Sequence, residues 1–166
     1  MKKLLLATAI AAVSSTSAMA ADSADIQMGA TISERCIVDL VSTNPNVLFS
    51  LDQTVANIDL ICNTQGAIDV KIESANAGNL VNGSDNVPYT IDVDPLNVAT
   101  TNISFVFDNF SIATPIVGTF ASGTLLGGVQ VDLRVNVNQG NNSGTGLFAG
   151  NYTDTMTVSI GPSGTL

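Results

Sequence analysis

Few residues in this chain of 166 offer chemistry, and the two cysteines, Cys36 and Cys62, come first. They have no CxxC spacing, and the chain has no histidine, so neither a redox pair nor a Cys/His zinc set is expected. In an exported chain, two cysteines predict one disulfide, Cys36–Cys62. Closing that loop is worth about 3 to 4 kcal/mol if the stabilisation is counted as lost chain entropy. Asp92 and Asp94 stand two apart and share one face of an extended segment. Paired carboxylates can hydrolyse glycosides or hold calcium, but no acidic loop of calcium-site spacing surrounds these two. The lack of histidine removes Ser-His-Asp and Cys-His nucleophiles, and no glycine-rich phosphate loop opens a helix. The expectation is a protein that is no enzyme and uses no cofactor or metal. Tyr152 and Asp154 read as structural, a buried tyrosine with a bonded hydroxyl and an acid that takes a turn donor.

The elements that would position these residues follow a leader. Lys2 and Lys3, the apolar run Leu4 to Val13 and Ala18-Met19-Ala20 have the form of a secretory signal over residues 1–20. The mature chain is then expected to run from Ala21 to Leu166, long enough for one domain with a real core. Its only cations are Arg35, Lys71 and Arg134, against fourteen acids, a formal charge of −11. Nucleic acid and anionic membranes are poor partners for such a surface, because phosphate binding needs clustered Lys and Arg.

Short alternating segments with turn signals between them fill the mature chain. Asn57 to Cys62, Ala67 to Ser74, Pro88 to Val93, the aromatic Asn102 to Phe110 with Ile103, Phe105 and Phe107 on one face, Val129 to Val137 and Asn151 to Ile160 each read as a strand, and Val47 to Leu51 as a short one. Ile68, Val70 and Ile72 point inward and Asp69 outward. Ile112 to Phe120 is less regular, broken by Pro115 and Gly118. Asn76 to Asn86 and Asn138 to Gly146 read as loops, and Gly161-Pro162 as a strand stop with a frayed tail behind it. No helical period runs for three turns outside the leader. The class predicted is all-β, an antiparallel β-sandwich.

One stretch stands apart. In Asp25 to Cys36, DIQMGATISERC, the residues Ile26, Met28, Ala30 and Ile32 alternate with Gln27, Gly29, Thr31 and Ser33. This is the period of a strand with one apolar and one wet face. Such a strand at a free N-terminus must find a sheet, either in its own molecule or in a neighbour. The periodicity alone leaves both open.

Four segments together resemble the pilins of the archaic chaperone-usher pathway and the related spore coat protein U domain. They are IQMGATISERC, IDLICNTQGAIDVKIES, VPYTIDVD and the ending AGNYTDTMTVSI, whose Gly150, Tyr152, Asp154 and Thr155 match the family's Gly-x-Tyr-x-Asp-Thr pattern. The resemblance implies an immunoglobulin-like sandwich lacking its last strand and completed by a donor strand. It implies a donor extension at residues 21–33, with Ile26, Met28, Ala30 and Ile32 as pocket fillers, before a domain at residues 34–166. It also implies a cell-surface pilus (fimbria) subunit used in adhesion or biofilm formation. Implied partners are copies or related subunits joined head to tail, a periplasmic chaperone, an outer-membrane usher, and a host or abiotic surface. The other reading carried forward is a self-contained secreted adhesin or coat protein of one domain.

Overall fold

The computed structural model describes residues 29–47, 52–96, 98, 104–137 and 147–166. The leader at residues 1–20, Ile26 and Met28, most of the strand expected at Val47 to Leu51, Ile103 and the loop Asn138 to Gly146 lie outside them. Among the described residues the secondary structure is all strand: β1 Cys36–Thr43, β2 Asp52–Cys62, β3 Ile68–Ser74, β4 Asn79–Asn82, β5 Asp85–Pro95, β6 Phe107–Ser111, β7 Ile116–Phe120, β8 Val129–Val137 and β9 Met156–Pro162. All pairings are antiparallel. One sheet runs β1-β2-β8-β5-β4, with β6 also on β5, and the other runs β7-β3-β9. Ser33–Leu166 is one compact unit.

Period-2 patterning explains why the two sheets face each other. Val129, Val131, Leu133, Val135 and Val137 of β8 are buried, as are Ile68, Val70 and Ile72 of β3. With Val87, Tyr89, Ile91 and Val93 of β5 they form one cluster, closed by Phe105 and Phe120. The result is an antiparallel β-sandwich with a continuous core.

Several local expectations are corrected. Asn76 to Asn86 is not all loop: β4 occupies Asn79–Asn82 and turns into β5 through Gly83 and Ser84, with Asn82 opposite Asp85. Gly83 takes φ +63°, which the tight two-residue connection requires. Pro88 is then the fourth residue of β5 rather than its first. The last strand begins at Met156, five residues later than its pattern indicated, and runs through Gly161-Pro162 instead of stopping there. The aromatic segment yields a strand only from Phe107, with 104–106 lacking regular structure.

Gly118 does not break its strand. It pairs with Val70 in the middle of β7, and the Phe105 ring lies over it. A Cβ at Gly118 would sit 2.6 Å from Phe105 Cδ2 and 2.7 Å from Phe105 Cα. The glycine is there because a buried aromatic needs its space. Gly118→Ala is expected to lower unfolding stability by about 1 to 3 kcal/mol through overpacking, read as a lower urea midpoint with an unchanged slope.

Asp69 is not a solvated outward acid, and the tail is not frayed. Asp69 is buried and accepts hydrogen bonds from Thr119 Oγ1 (2.8 Å), Ser163 Oγ (3.0 Å) and Gly164 N–H (2.8 Å). Ser163 N–H also donates to the Ala67 carbonyl. Burial raises the Asp69 carboxyl, but the bonds from Gly164, Thr119 and Ser163 outweigh it and hold the group below its ordinary 3.8. A depressed folded value stabilises the protein above 3.8, and that contribution is lost as pH falls through the folded value. Acid titration of unfolding stability should therefore show a drop below pH 3.8 that Asp69→Asn removes.

Candidate strand-acceptor groove

Among the described residues the two sheets leave an open seam where β1 and β9 lie. Among the described residues β1 pairs with β2 alone and β9 with β3 alone, so each sheet ends in an unpaired edge there. Between them lies a cleft of about 850 Å³. Its walls are Leu40 and Thr43 of β1, the following residues Asn44 to Val47, and Met156 and Val158 of β9. Its floor is Val55, Ala56 and Ile58 of β2 with Leu133 and Val135 of β8. Protein interiors rarely leave voids larger than a water molecule, and one water takes roughly 30 Å³. This space is therefore a groove and no packing fault.

The strands that line it show the deficit. The central strands bury their inward residues almost completely, whereas Met156, Val158 and Ile160 of β9 are only partly buried. Leu40 of β1 is 57% exposed and Val41 is 52% exposed. Pairing slips by one residue between Leu40 and Ser42, which leaves Val41 outside the β1–β2 ladder. An unpaired edge beside an apolar trough is a template for another strand.

The two cysteines hold one wall of the groove. Cys36 and Cys62 form the predicted disulfide and are directly opposed in the β1–β2 register, with Cα atoms 4.1 Å apart. This ties the first residue of the edge strand to the last residue of its neighbour.

The Gly150 to Thr155 segment closes one end. Asp154 accepts Tyr89 Oη–H (2.6 Å), Ser74 Oγ–H (2.5 Å) and the backbone N–H groups of Asn76 (3.1 Å) and Thr155 (2.7 Å). It is thus the junction of β3, β5 and β9. Tyr89 is raised well above its ordinary value, by burial and then by its bond to Asp154. The Tyr152 hydroxyl lies 3.2 Å from Asp85 Oδ2 and 3.0 Å from the Phe148 carbonyl. Tyr152 is half-buried rather than buried. Thr153 makes a single antiparallel bridge to Val81. An added Cβ at Gly150 would overlap the Asn82 side-chain amide. Gly150, Tyr152 and Asp154 therefore dock the β4–β5 hairpin and also form part of the groove lining, while Thr155 holds the end of β3 by accepting the Ala75 N–H.

The structure does not bring the remaining sequence candidates into this site. Gly29–Arg35 carries no strand, and Ile32 is 83% exposed. Asp92 and Asp94 face Arg134 on the outside of the larger sheet: Arg134 Nη2 lies 2.9 Å from Asp94 and 3.9 Å from Asp92, and its Nη1 lies 3.7 Å from Asp52. Asp92 also accepts the Asn109 N–H. That arrangement neutralises a buried acid, and no group of three or more potential metal ligands exists among the described residues. Sequence reasoning missed β4 and Asn63, and it reached a groove only through the family resemblance, without its lining residues. No protein-family model matches the chain, and no curated protein matches it either.

Proposed function

We propose that this protein is a structural subunit that polymerises by strand donation, the N-terminal extension of one copy filling the β1/β9 groove of the next. The observation that carries this is the apolar groove between two unpaired edges. The sequence supplies a matching occupant. Ile26 to Ile32 is a seven-residue segment with apolar residues at every second position, and β9 is seven residues long. At roughly 3.3 Å per residue both span about 23 Å. Main-chain hydrogen bonds to β1 and β9 would supply affinity, and Ile26, Met28, Ala30 and Ile32 would supply register. Burying the three large side chains contributes roughly 5 to 9 kcal/mol before ordering costs, at about 1.5 to 3 each.

The contact is heterologous, so it extends a filament rather than closing a dimer. The resemblance to archaic chaperone-usher pilins supports the same assembly, with an immunoglobulin-like fold, a periplasmic chaperone that first occupies the groove and an outer-membrane usher where strands exchange. Its product is a surface fibre.

The test is gel electrophoresis of exported protein in SDS, with and without boiling, beside a chain lacking residues 21–33. Full-length protein should give a ladder that survives unboiled and collapses to monomer on heating. The truncated chain accepts a strand but donates none, so it should run as monomer and shorten the ladder when co-expressed. If the truncated chain gave the same ladder, the extension would not be the donor.

A further inference from the structure

The three residues that join the extension to β1 are not free. Arg35 N–H donates to Asn63 Oδ1 (2.6 Å), Asn63 Nδ2 donates to the Ser33 carbonyl (2.9 Å), and Asn63 N–H donates to the Arg35 carbonyl (3.1 Å). Thr64, itself buried, donates its hydroxyl to the Glu34 carboxylate (3.1 Å). Asn63 and Thr64 follow Cys62 directly, so these bonds continue the β1–β2 ladder past its last pair, Cys36↔Cys62.

This placement bears on where the extension can go. The groove lies along the other edge of β1, away from β2. For residues 26–32 to enter the groove of their own molecule beside β1, the chain must reverse as an antiparallel hairpin with Ser33–Arg35 as its loop. Such three-residue connections are ordinary. The reversal would carry Ser33–Arg35 off the β2 side and break the bonds to Asn63 and Thr64. A backbone held in a ladder by its own side-chain clamp cannot also be the loop of a hairpin on the opposite edge.

We propose that Asn63 is a positioning residue that keeps the extension from filling its own groove and so reserves it for a second copy. The inference rests on the strand-donation reading and adds to it the device that favours exchange between molecules over closure within one. The shared cause is the pair of side-chain bonds from Asn63, reinforced by Thr64.

The test compares wild type with Asn63→Ala and Thr64→Val, all with the disulfide intact. Two quantities are read: the ratio of monomer to heat-labile oligomer on unboiled SDS gels, and the thermolysin resistance of Ile26 to Ile32 in the isolated monomer. Asn63→Ala should raise the monomer-to-oligomer ratio on the order of tenfold, as expected for two lost hydrogen bonds. Its monomer should carry a protected extension, because the strand now sits in its own groove. Thr64→Val should shift both readouts in the same direction by a smaller factor, and it serves alone if Asn63→Ala does not fold. A wild-type ladder with an unchanged ratio in the variants would overturn the clamp and leave strand donation standing. A wild type with no ladder at all would overturn strand donation, and the clamp with it.

Discussion

Ile32→Asp is expected to reduce heat-labile oligomers at least a few hundredfold while leaving the folded subunit as stable as before. Filling a pocket with isoleucine is worth about 1.5 to 3 kcal/mol. Placing a carboxylate there adds the cost of desolvating an unpaired charge. The sum exceeds about 3.5 kcal/mol, and each 1.4 kcal/mol is tenfold in the association constant. The free subunit should not notice, because Ile32 is 83% exposed in it. Thr31→Asp is the matched control, since it carries the same charge one residue away on the wet face of the alternation. Equal loss of oligomer in both variants would mean that charge on the extension matters and pocket register does not. Equal retention in both would remove Ile32 from the interface.

Replacing Cys36 and Cys62 together by serine should cost about 3 to 4 kcal/mol of unfolding stability, the chain-entropy value for a loop of this length. The damage should be concentrated in one place. β1 is an edge strand whose residues from Asp39 onward are exposed, and among the described residues it pairs with β2 alone. Without the disulfide its hold on the sheet rests on that single ladder. Hydrogen exchange should therefore show β1 losing protection well before β8, whose alternate residues are buried and which pairs on both edges. The groove would lose a wall in the same step, so strand binding should weaken alongside stability. A uniform loss of protection across β1, β2 and β8 would place the effect of the disulfide elsewhere.

Much of the fold is legible in the sequence because alternation is a local property. β8 begins and ends where its Val-x-Val pattern does, and β3 keeps the inward set Ile68, Val70 and Ile72. What was missed is set by partners far away in the chain. Gly118 looks like a break until Phe105 is placed over it. Asp69 looks like a surface acid until Ser163 and Gly164, more than ninety residues on, cover it. The four-residue β4 is too short to show a period, and only its turn at Gly83 marked it. Which strands border the groove is the clearest case. Periodicity shows that a segment is a strand with one apolar face, but it does not say which strands end the sheets. That β1 and β9 both do is set by long-range pairing order, and that they flank one unfilled seam is set by how the two sheets stack. The extension, by contrast, was visible from its alternation, because its partner need not be present for the pattern to exist.

The disulfide also determines how a pull on the N-terminus would travel through the subunit. A chain tugged by its extension is loaded at Ser33–Arg35, next to the first residue of β1. An edge strand pulled from its end unzips one hydrogen-bonded pair at a time, the weakest way to load a ladder. Here the first pair is covalent. Tension reaching Cys36 crosses at once to Cys62 and enters β2, which has partners along both edges and passes the load to β8. β1 lies beyond the crossing point, so tension arriving from the extension largely bypasses it and the Leu40–Thr43 wall of the groove is spared that part of the load.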